Sequence, residues 1–168
     1  RQEPRHGPGH AIWLCHEEVG KEEVFIAFGD TIFDADLRAM LHAPHSTVAV
    51  QEVDVPSLFG IAITDTEGRV ISLTEKPTIP KSNLALVGVY CIRETEQLFA
   101  SLRWLMDNDM RSHHEFHLTD ALMQMIRDGI EIRTLKVRNW FDCGQKETLL
   151  QTNRLLLSQQ MAAPLPEY

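Results

Sequence analysis

The chain has 168 residues, a formal net charge of −8 and 43% hydrophobic residues, which suits one globular domain with a sizeable core. The negative charge and the scattered Lys and Arg residues exclude a broad basic surface, so we expect no nucleic-acid partner. No apolar run approaches the ~18 residues of a membrane span, so we expect no membrane partner either. The three widely spaced cysteines indicate free thiols in a reducing compartment, which predicts a cytoplasmic protein.

The chain opens with a glycine- and proline-rich segment. "GPGHAIWLCHEEVG" predicts a short helix with Pro8 in its first turn and Gly20 at its end. The five apolar residues Val24–Phe28 predict a buried strand, as in parallel sheets that are covered on both faces. Asp34 is placed to cap a helix over 35–41, and "STVAVQEV" predicts a second strand.

The rest of the chain alternates between strand and helix patterns. "FGIAITDTEGRVISLTEKP" predicts a β-hairpin, "NLALVGVYCI" a buried strand, and "ETEQLFASLRWLM" and "LTDALMQMIRDG" two helices. "IEIRTLKVR" predicts a half-buried strand, and "KETLLQTNRLLLSQQM" a closing helix. We expect strands near 24–29, 46–53, 59–64, 69–74, 84–92 and 130–138, and a loose tail at 162–168. The alternation predicts a single α/β domain over 1–168, with three α/β/α layers and one inserted hairpin.

Two aspartates follow predicted strands, each close to a glycine. Asp30 comes after the strand that ends at Phe28, and Asp142 comes after "LKVRNWF", just before Gly144. Ligands of open α/β sheets bind at the carboxyl ends of strands. Mg²⁺ is typically held by one or two carboxylates together with substrate phosphates. Helix capping is the alternative for each aspartate taken alone, because Asp is a favoured N-cap residue.

Other candidate residues also have two readings. Lys76, in "TEKP" at the end of the hairpin, is either a surface lysine or a point charge that meets a phosphate. Gly60 and Gly88 lie in strands, where a glycine marks either a bulge or the close approach of a ligand or neighbour. "HHEFH" suggests a metal site because His113 and His117 are four residues apart. The polar run before it favours solvated or packing histidines instead.

Taken in order, these segments resemble the sugar-1-phosphate nucleotidyltransferases, most closely the glucose-1-phosphate thymidylyltransferase-like branch. The resemblance runs from Gln2 to about Leu157 and is carried by "QEPRHGPGHAI", "FGDTIF", "FGIAITDTEGRVISLTEKP", "NLALVGVYCI", "EFHLTDALMQM" and "NWFDCGQKETLLQTN". The family joins a nucleoside triphosphate to a sugar 1-phosphate and releases pyrophosphate, which gives an NDP-sugar. The resemblance implies a Rossmann-like mixed sheet, a Mg²⁺ cofactor and a homo-oligomer.

The same resemblance implies roles for particular residues. Asp30 and Asp142 match the Mg²⁺ ligands, and Lys76 matches the lysine that meets the sugar phosphate, so these three are the catalytic candidates. The positions that match the nucleotide site are Gln2, Gly7 and Asp30. The positions that match the sugar pocket are Gly60, Glu75 and Gly88.

The chain departs from the family pattern in two ways. Thr31 stands where the family often has asparagine, so a polar contact on the nucleotide side is expected to differ. The family also opens with a strand and a glycine-rich loop bearing an arginine, followed by a lysine, and these residues do not supply that loop. We therefore expect an N-terminally incomplete enzyme that lacks roughly 60 residues or more, judged from the length of βαβ units. We expect such a piece to be inactive and prone to aggregate.

Two alternatives to a catalytic nucleotidyltransferase are considered. One is a non-catalytic module of the same fold that binds sugar nucleotides or has a regulatory role. The other is an unrelated α/β domain with chance motif matches. The joint presence of Asp30, Asp142 and Lys76 favours the enzyme, because a purely structural relative has less reason to keep all three.

Overall fold

The computed structural model describes residues 1–144 and 146–162. The strands in this part of the chain are β1 Val24–Ala27, β2 Thr31–Asp34, β3 Ser46–Glu52, β4 Gly60–Thr64, β5 Val70–Glu75, β6 Leu84–Ile92, β7 Ile132–Lys136 and β8 Asn139–Asp142. The helices are α1 Pro8–Trp13, α2 His16–Val19, α3 Arg38–Leu41, α4 Thr95–Asp107, α5 Leu118–Arg127 and α6 Lys146–Ala162, and a 3₁₀ turn covers Pro56–Leu58. No helix in the described ranges is long and apolar enough to cross a membrane.

Strand β6 is the centre of the six-stranded main sheet, in which five strands follow the order β5-β4-β6-β3-β7 and the sixth, β1, also pairs with β6. On one side β6 pairs with β3, and on the other it pairs with β4 near its start and with β1 near its end. These pairs are antiparallel, whereas β7 runs parallel to β3. The mixed sheet confirms the predicted α/β class, and the antiparallel pair β4–β5 is the predicted hairpin.

Strand β6 also divides the core in two, because successive side chains of a strand point to opposite faces of a sheet. Tyr90 and Ile92 belong to a large cluster that α4 and α5 cover with fully buried side chains: Leu98, Leu102, Leu122 and Met125. Val89 and Cys91 belong to a smaller cluster, together with Met40 of α3. A second sheet, the antiparallel pair β2–β8, lies against this smaller cluster.

Strand β1 is a half-exposed edge strand, so its prediction as a buried strand of a parallel sheet is wrong. In the described part of the chain it pairs only with β6, and the pairing is antiparallel. Val24 and Ile26 pack against the main core, whereas Phe25 is 41% exposed. An unbroken apolar run hides this difference, because it has no periodicity that marks one face as exposed.

Two helix predictions and the predicted tail need correction. The single helix expected up to Gly20 is two short helices, α1 and α2. The helix expected over 35–41 covers only Arg38–Leu41, because Asp34 is the last residue of β2. The N-cap of this helix is Leu37, which has no side-chain cap hydrogen bond, and Asp36 Oδ1 accepts a 3.1 Å hydrogen bond from the Arg38 N–H. The predicted loose tail lies outside the described residues from 163 onward, and residue 162 ends α6.

The opening segment is held in place by backbone contacts with the loop before α5. The Phe116 N–H donates to the carbonyl of His6 at 2.8 Å, and the Gly9 N–H donates to the carbonyl of Phe116 at 2.7 Å. A Cβ on Gly9 would lie 2.8 Å from the Phe116 carbonyl oxygen, which is too close for a real side chain. The absence of a side chain at Gly9 therefore lets α1 dock against this loop.

We predict that Gly9→Ala destabilises the protein by about 1–3 kcal/mol, the usual cost of overpacking a tight contact. This sign opposes helix propensity, which alone favours Ala over Gly. Gly29→Ala is the matched control, because nothing lies within 4 Å of a Cβ added there. Urea unfolding of the two variants is the measurement. Equal stability of both variants and the wild type would contradict the proposed docking contact.

Candidate functional site

A cavity of about 330 Å³ opens where both sheets and the start of α5 meet. It collects six of the eight residues expected to form the site: Asp30, Gly60, Glu75, Lys76, Gly88 and Asp142. The two expected residues that do not line it are Gln2 and Gly7. Pro8, beside Gly7, lines the cavity instead. The metal, phosphate and sugar candidates therefore share one cavity, and the two base candidates lie outside its lining.

The two aspartates reach the cavity through the second sheet. Asp30 lies in the tight connection between β1 and β2, and Asp142 is the last residue of β8. The antiparallel register of β2 and β8 places Thr31 opposite Asp142, and the Cys143 N–H donates to the Asp30 carbonyl at 2.8 Å. Asp142 thus ends a strand of the second sheet and not one of the main sheet, and both aspartates line one cavity.

Gly144 shows how close the two carboxylates are. A Cβ built on Gly144 would lie 3.2 Å from Asp30 Oδ2 and 3.1 Å from Asp142 Oδ1, so both oxygens border the same small space. In residues 1–144 and 146–162, no group of three or more His, Cys, Asp or Glu side chains could hold a metal ion. Two carboxylates that border one small space fit Mg²⁺, because this ion binds few protein ligands and fills its other coordination positions with water and phosphate oxygens.

Glu75 forms a second polar cluster in the lining of the cavity. Its side chain is 8% exposed, and its Oε2 accepts a 2.6 Å hydrogen bond from the hydroxyl of Thr119 in α5. His117 Nδ1 lies 3.6 Å from Glu75 Oε1. A Cβ on Gly60 would lie 3.0 Å from both Glu75 Oε2 and Thr119 Oγ1. Gly60 therefore makes room for the Glu75 carboxylate. Gly60 is not at a bulge, because the register shift of this hairpin lies between Ile63 and Thr64.

Lys76 follows β5 with a φ angle of 38°, in the left-handed region that residues other than glycine rarely adopt. Such a conformation costs on the order of 1 kcal/mol and persists only where the surroundings enforce it. The Lys76 N–H donates to the Phe59 carbonyl at 3.0 Å. Neighbouring side chains of an extended strand point to opposite faces. The turn at Lys76 breaks this alternation, so Glu75 and Lys76 both line the cavity.

Gly88 sits in an irregularity of β6. Its φ angle is 80°. Val48 of β3 pairs with Tyr90 and Val50 pairs with Leu86, so a step of two residues in β3 matches a step of four in β6. This is a bulge, one of the two readings given to this glycine. A Cβ on Gly88 would also lie 3.1 Å from the Phe28 ring. Both the bulge and the close neighbour therefore account for glycine here.

An aromatic pair that the sequence analysis did not identify forms another part of the lining. Phe59 and Trp140 meet edge to face with their ring centroids 4.9 Å apart, and both line the cavity. The indole N–H of Trp140 donates to Thr31 Oγ1 at 2.7 Å, and the Thr31 hydroxyl donates to the Val87 carbonyl at 2.7 Å. The side chain of Thr31 thus bonds within the protein at the position where the family often has asparagine.

The histidines of "HHEFH" do not share a helix face. His113 and His114 are exposed and form a two-residue turn, with φ angles of 50° and 68°, between Ser112 and Glu115, which exchange two 3.0 Å backbone hydrogen bonds. His117 is buried and comes immediately before α5. The solvated and packing roles favoured for these residues agree with this arrangement.

Gln2 and Gly7 shape the opening segment. Gln2 Nε2 donates to the Gly7 carbonyl at 2.9 Å and lies 3.0 Å from His10 Nδ1. Burial and the nearby His6 lower the pKa of His10, because both disfavour the imidazolium form. A Cβ on Gly7 would lie 2.7 Å from the Cβ of Glu115. Close packing in this segment is therefore one reason for a glycine at position 7.

Comparisons with known proteins agree with this architecture. A family model described as nucleotidyl transferase matches residues 1–159. The low-salt glycan biosynthesis nucleotidyltransferase of Haloferax volcanii is 32% identical over 165 residues, which cover 92% of this chain and 43% of that protein. The glucose-1-phosphate thymidylyltransferase of Streptomyces antibioticus is 30% identical over 158 residues, which cover 90% of this chain and 43% of that protein.

Solved structures share the fold. A glucose-1-phosphate thymidylyltransferase of Bacillus anthracis, solved in complex with sucrose, superposes with a TM-score of 0.75 at 26% identity, over 92% of this chain and 62% of that one. A UDP-glucose pyrophosphorylase superposes with a TM-score of 0.78 at 23% identity, over 95% of this chain and 63% of that one. The chain spans less than half the length of the two curated relatives named above. Since the family model covers almost all of its residues, the chain belongs to the nucleotidyl transferase family.

Proposed function

We propose that the protein containing this chain transfers a nucleotidyl group from a nucleoside triphosphate to a sugar 1-phosphate, giving an NDP-sugar and pyrophosphate. The observation that carries the proposal is the shared cavity of Asp30, Asp142, Glu75 and Lys76. This set offers carboxylates for a divalent cation, a cation for a phosphate and a buried acceptor for hydroxyl groups. A sugar 1-phosphate presents the matching phosphate and hydroxyl groups in one small molecule.

The reaction brings two anions together. An oxygen of the sugar phosphate attacks the α-phosphorus of the triphosphate in line, and the bond from that phosphorus to the bridging oxygen breaks to release pyrophosphate. Asp30 and Asp142 would hold Mg²⁺, which when bound would supply positive charge to offset the repulsion between the phosphates. No covalent intermediate is required, so the contribution of the chain is to position and screen the reactants.

Lys76 and Glu75 would divide the recognition of the sugar phosphate between them. The ammonium group of Lys76 is a compact point charge suited to a phosphate. The Glu75 carboxylate is almost fully buried, yet a carboxylate can accept several hydrogen bonds and Thr119 supplies one of them. A buried carboxylate is costly unless its remaining acceptor positions are filled, and the hydroxyl groups of a sugar are donors of suitable size. This need supports a sugar as the ligand beside Glu75.

We predict that Asp30→Asn and Asp142→Asn each lower kcat by about 100-fold or more, a loss comparable to that of a single preorganised electrostatic group in other enzymes. The variants should remain folded, because each change removes one of two neighbouring negative charges. The measurement is pyrophosphate release by the full-length protein with each common nucleoside triphosphate, a panel of sugar 1-phosphates and titrated Mg²⁺.

Asp128→Asn is the control for these variants, because Asp128 is an exposed residue beyond α5 whose Oδ1 accepts a 3.0 Å hydrogen bond from Gln124, and an amide oxygen can accept it equally well. Wild-type turnover in both site variants would reject the roles of Asp30 and Asp142. Absence of pyrophosphate release by the wild-type protein with every substrate pair would reject the proposed function and favour a non-catalytic binding module.

A second prediction concerns the phosphate of the sugar. Lys76→Gln should raise KM for the sugar 1-phosphate about 10- to 100-fold, because a hydrogen bond between charged groups contributes roughly 1.5–3 kcal/mol. Lys81→Gln is the matched control, since Lys81 is also exposed and lies a few residues further along but does not line the cavity. Steady-state kinetics with the triphosphate held saturating are the measurement. Equal KM values for the two variants would show that Lys76 does not meet this phosphate.

A further inference from the structure

Thr31 is the centre of a short chain of hydrogen bonds that ends at the cavity. Trp140 Nε1 lies 2.7 Å from Thr31 Oγ1, which lies 2.7 Å from the Val87 carbonyl oxygen. An indole nitrogen can only donate and a carbonyl oxygen can only accept. The hydroxyl must therefore accept from Trp140 and donate to Val87, so its single proton has one possible direction.

The three residues of this chain belong to different parts of the fold. Val87 lies in β6 next to the bulge at Gly88, Thr31 begins β2, and Trp140 is in β8. All three line the cavity. The register of β2 and β8 pairs Phe33, not Thr31, with Trp140, so backbone pairing does not by itself fix the indole ring relative to Thr31. The hydroxyl gives the ring a directional hydrogen bond to the main sheet, in addition to its apolar contacts with Phe59 and the small core cluster.

We propose that Thr31 is a positioning residue that fixes the Trp140 ring, together with its partner Phe59, as the aromatic wall for the sugar ring. The inference rests on the proposed function, because it assigns the sugar 1-phosphate to this side of the cavity. Sugar rings carry C–H faces that pack against aromatic rings, and a ring held in one orientation loses little conformational freedom on binding. Thr31 thus acts through Trp140, because its hydroxyl is already engaged by the indole N–H and the Val87 carbonyl.

The test compares Thr31→Val with Thr31→Ser in the full-length protein. Val keeps the shape of Thr but can neither donate nor accept, whereas Ser keeps the hydroxyl. Thr31→Val should raise KM for the sugar 1-phosphate about 3- to 10-fold, a factor typical of a lost buried hydrogen bond. KM for the triphosphate and kcat should stay within about twofold, since the Asp30 and Asp142 side chains are unchanged. Thr31→Ser should restore the wild-type KM.

A measurement independent of activity tests the hydrogen bond itself. The indole ¹H–¹⁵N resonance of Trp140, assigned by its loss in Trp140→Phe, should shift and exchange faster with solvent in Thr31→Val but not in Thr31→Ser. Thr134→Val is the matched control, because the Thr134 hydroxyl donates to the Gly68 carbonyl at 3.2 Å and does not line the cavity. It should leave both the resonance and KM unchanged.

A double-mutant cycle completes the test. In the Trp140→Phe background the indole donor is gone, so adding Thr31→Val should change KM for the sugar 1-phosphate by less than about twofold, as expected when one interaction has already been removed. If Thr31→Val does not fold, Thr31→Cys replaces it, because a thiol is similar in size but a weak donor and acceptor.

Each result of these experiments is decisive. An unchanged sugar KM in Thr31→Val, with an active wild-type protein, overturns the positioning role and leaves the proposed function intact. A raised KM in Thr31→Ser as well overturns it too, because the hydroxyl is then not the feature that matters. An unshifted indole resonance in Thr31→Val overturns the hydrogen bond. An inactive wild-type protein overturns the proposed function, while the resonance still reports on the hydrogen bond alone.

Discussion

The antiparallel pairing of β2 with β8 is the contact on which the rest of the site depends. It joins two segments more than a hundred residues apart in the sequence, and it places Thr31 opposite Asp142. Closing so long a loop carries an entropy cost that grows only slowly with length. The apolar contacts of the small core cluster and the ladder hydrogen bonds offset that cost. Asp30, Asp142 and Trp140 all take their positions from this pairing, so it supplies the two neighbouring aspartates and one of the two paired aromatic rings.

The cavity is lined by three carboxylates and one ammonium group in the described part of the chain. Asp30 and Asp142 bring two carboxylates close to one point, and Glu75 adds a buried carboxylate to the same lining. Burial, and then the charge of Glu75, raise the pKa of Tyr90 well above its usual range, so this phenol stays neutral as part of the core. Lys76 is the positive group that lines the same cavity in the described part of the chain. An anionic substrate therefore needs added positive charge to enter, which is the physical argument for a divalent cation.

Periodicity in the sequence was sufficient to predict the α/β class, the hairpin and the start of α5 at Leu118, because each depends on neighbouring residues. It failed for β1, where the apolar face of an edge strand looks like a buried strand. It also missed β2 and β8, since four-residue strands give too little pattern to recognise. The carboxylates at Asp30 and Asp142 were identified, but the pairing that unites them was not. The bond between Thr31 and Trp140 depends on side-chain positions in three dimensions, so no local pattern could reveal it.

The turn at His113 and His114 has a consequence for engineering. Both residues adopt left-handed backbone conformations in a two-residue hairpin, a geometry that Asn-Gly adopts with far less strain. The strain is concentrated just before Phe116, whose backbone holds α1, and close to His117 in the cavity. The wild-type sequence therefore leaves room for a more stable form of this loop. Exchanging the two histidines for Asn-Gly offers a route to greater thermal tolerance that leaves every side chain lining the cavity in place.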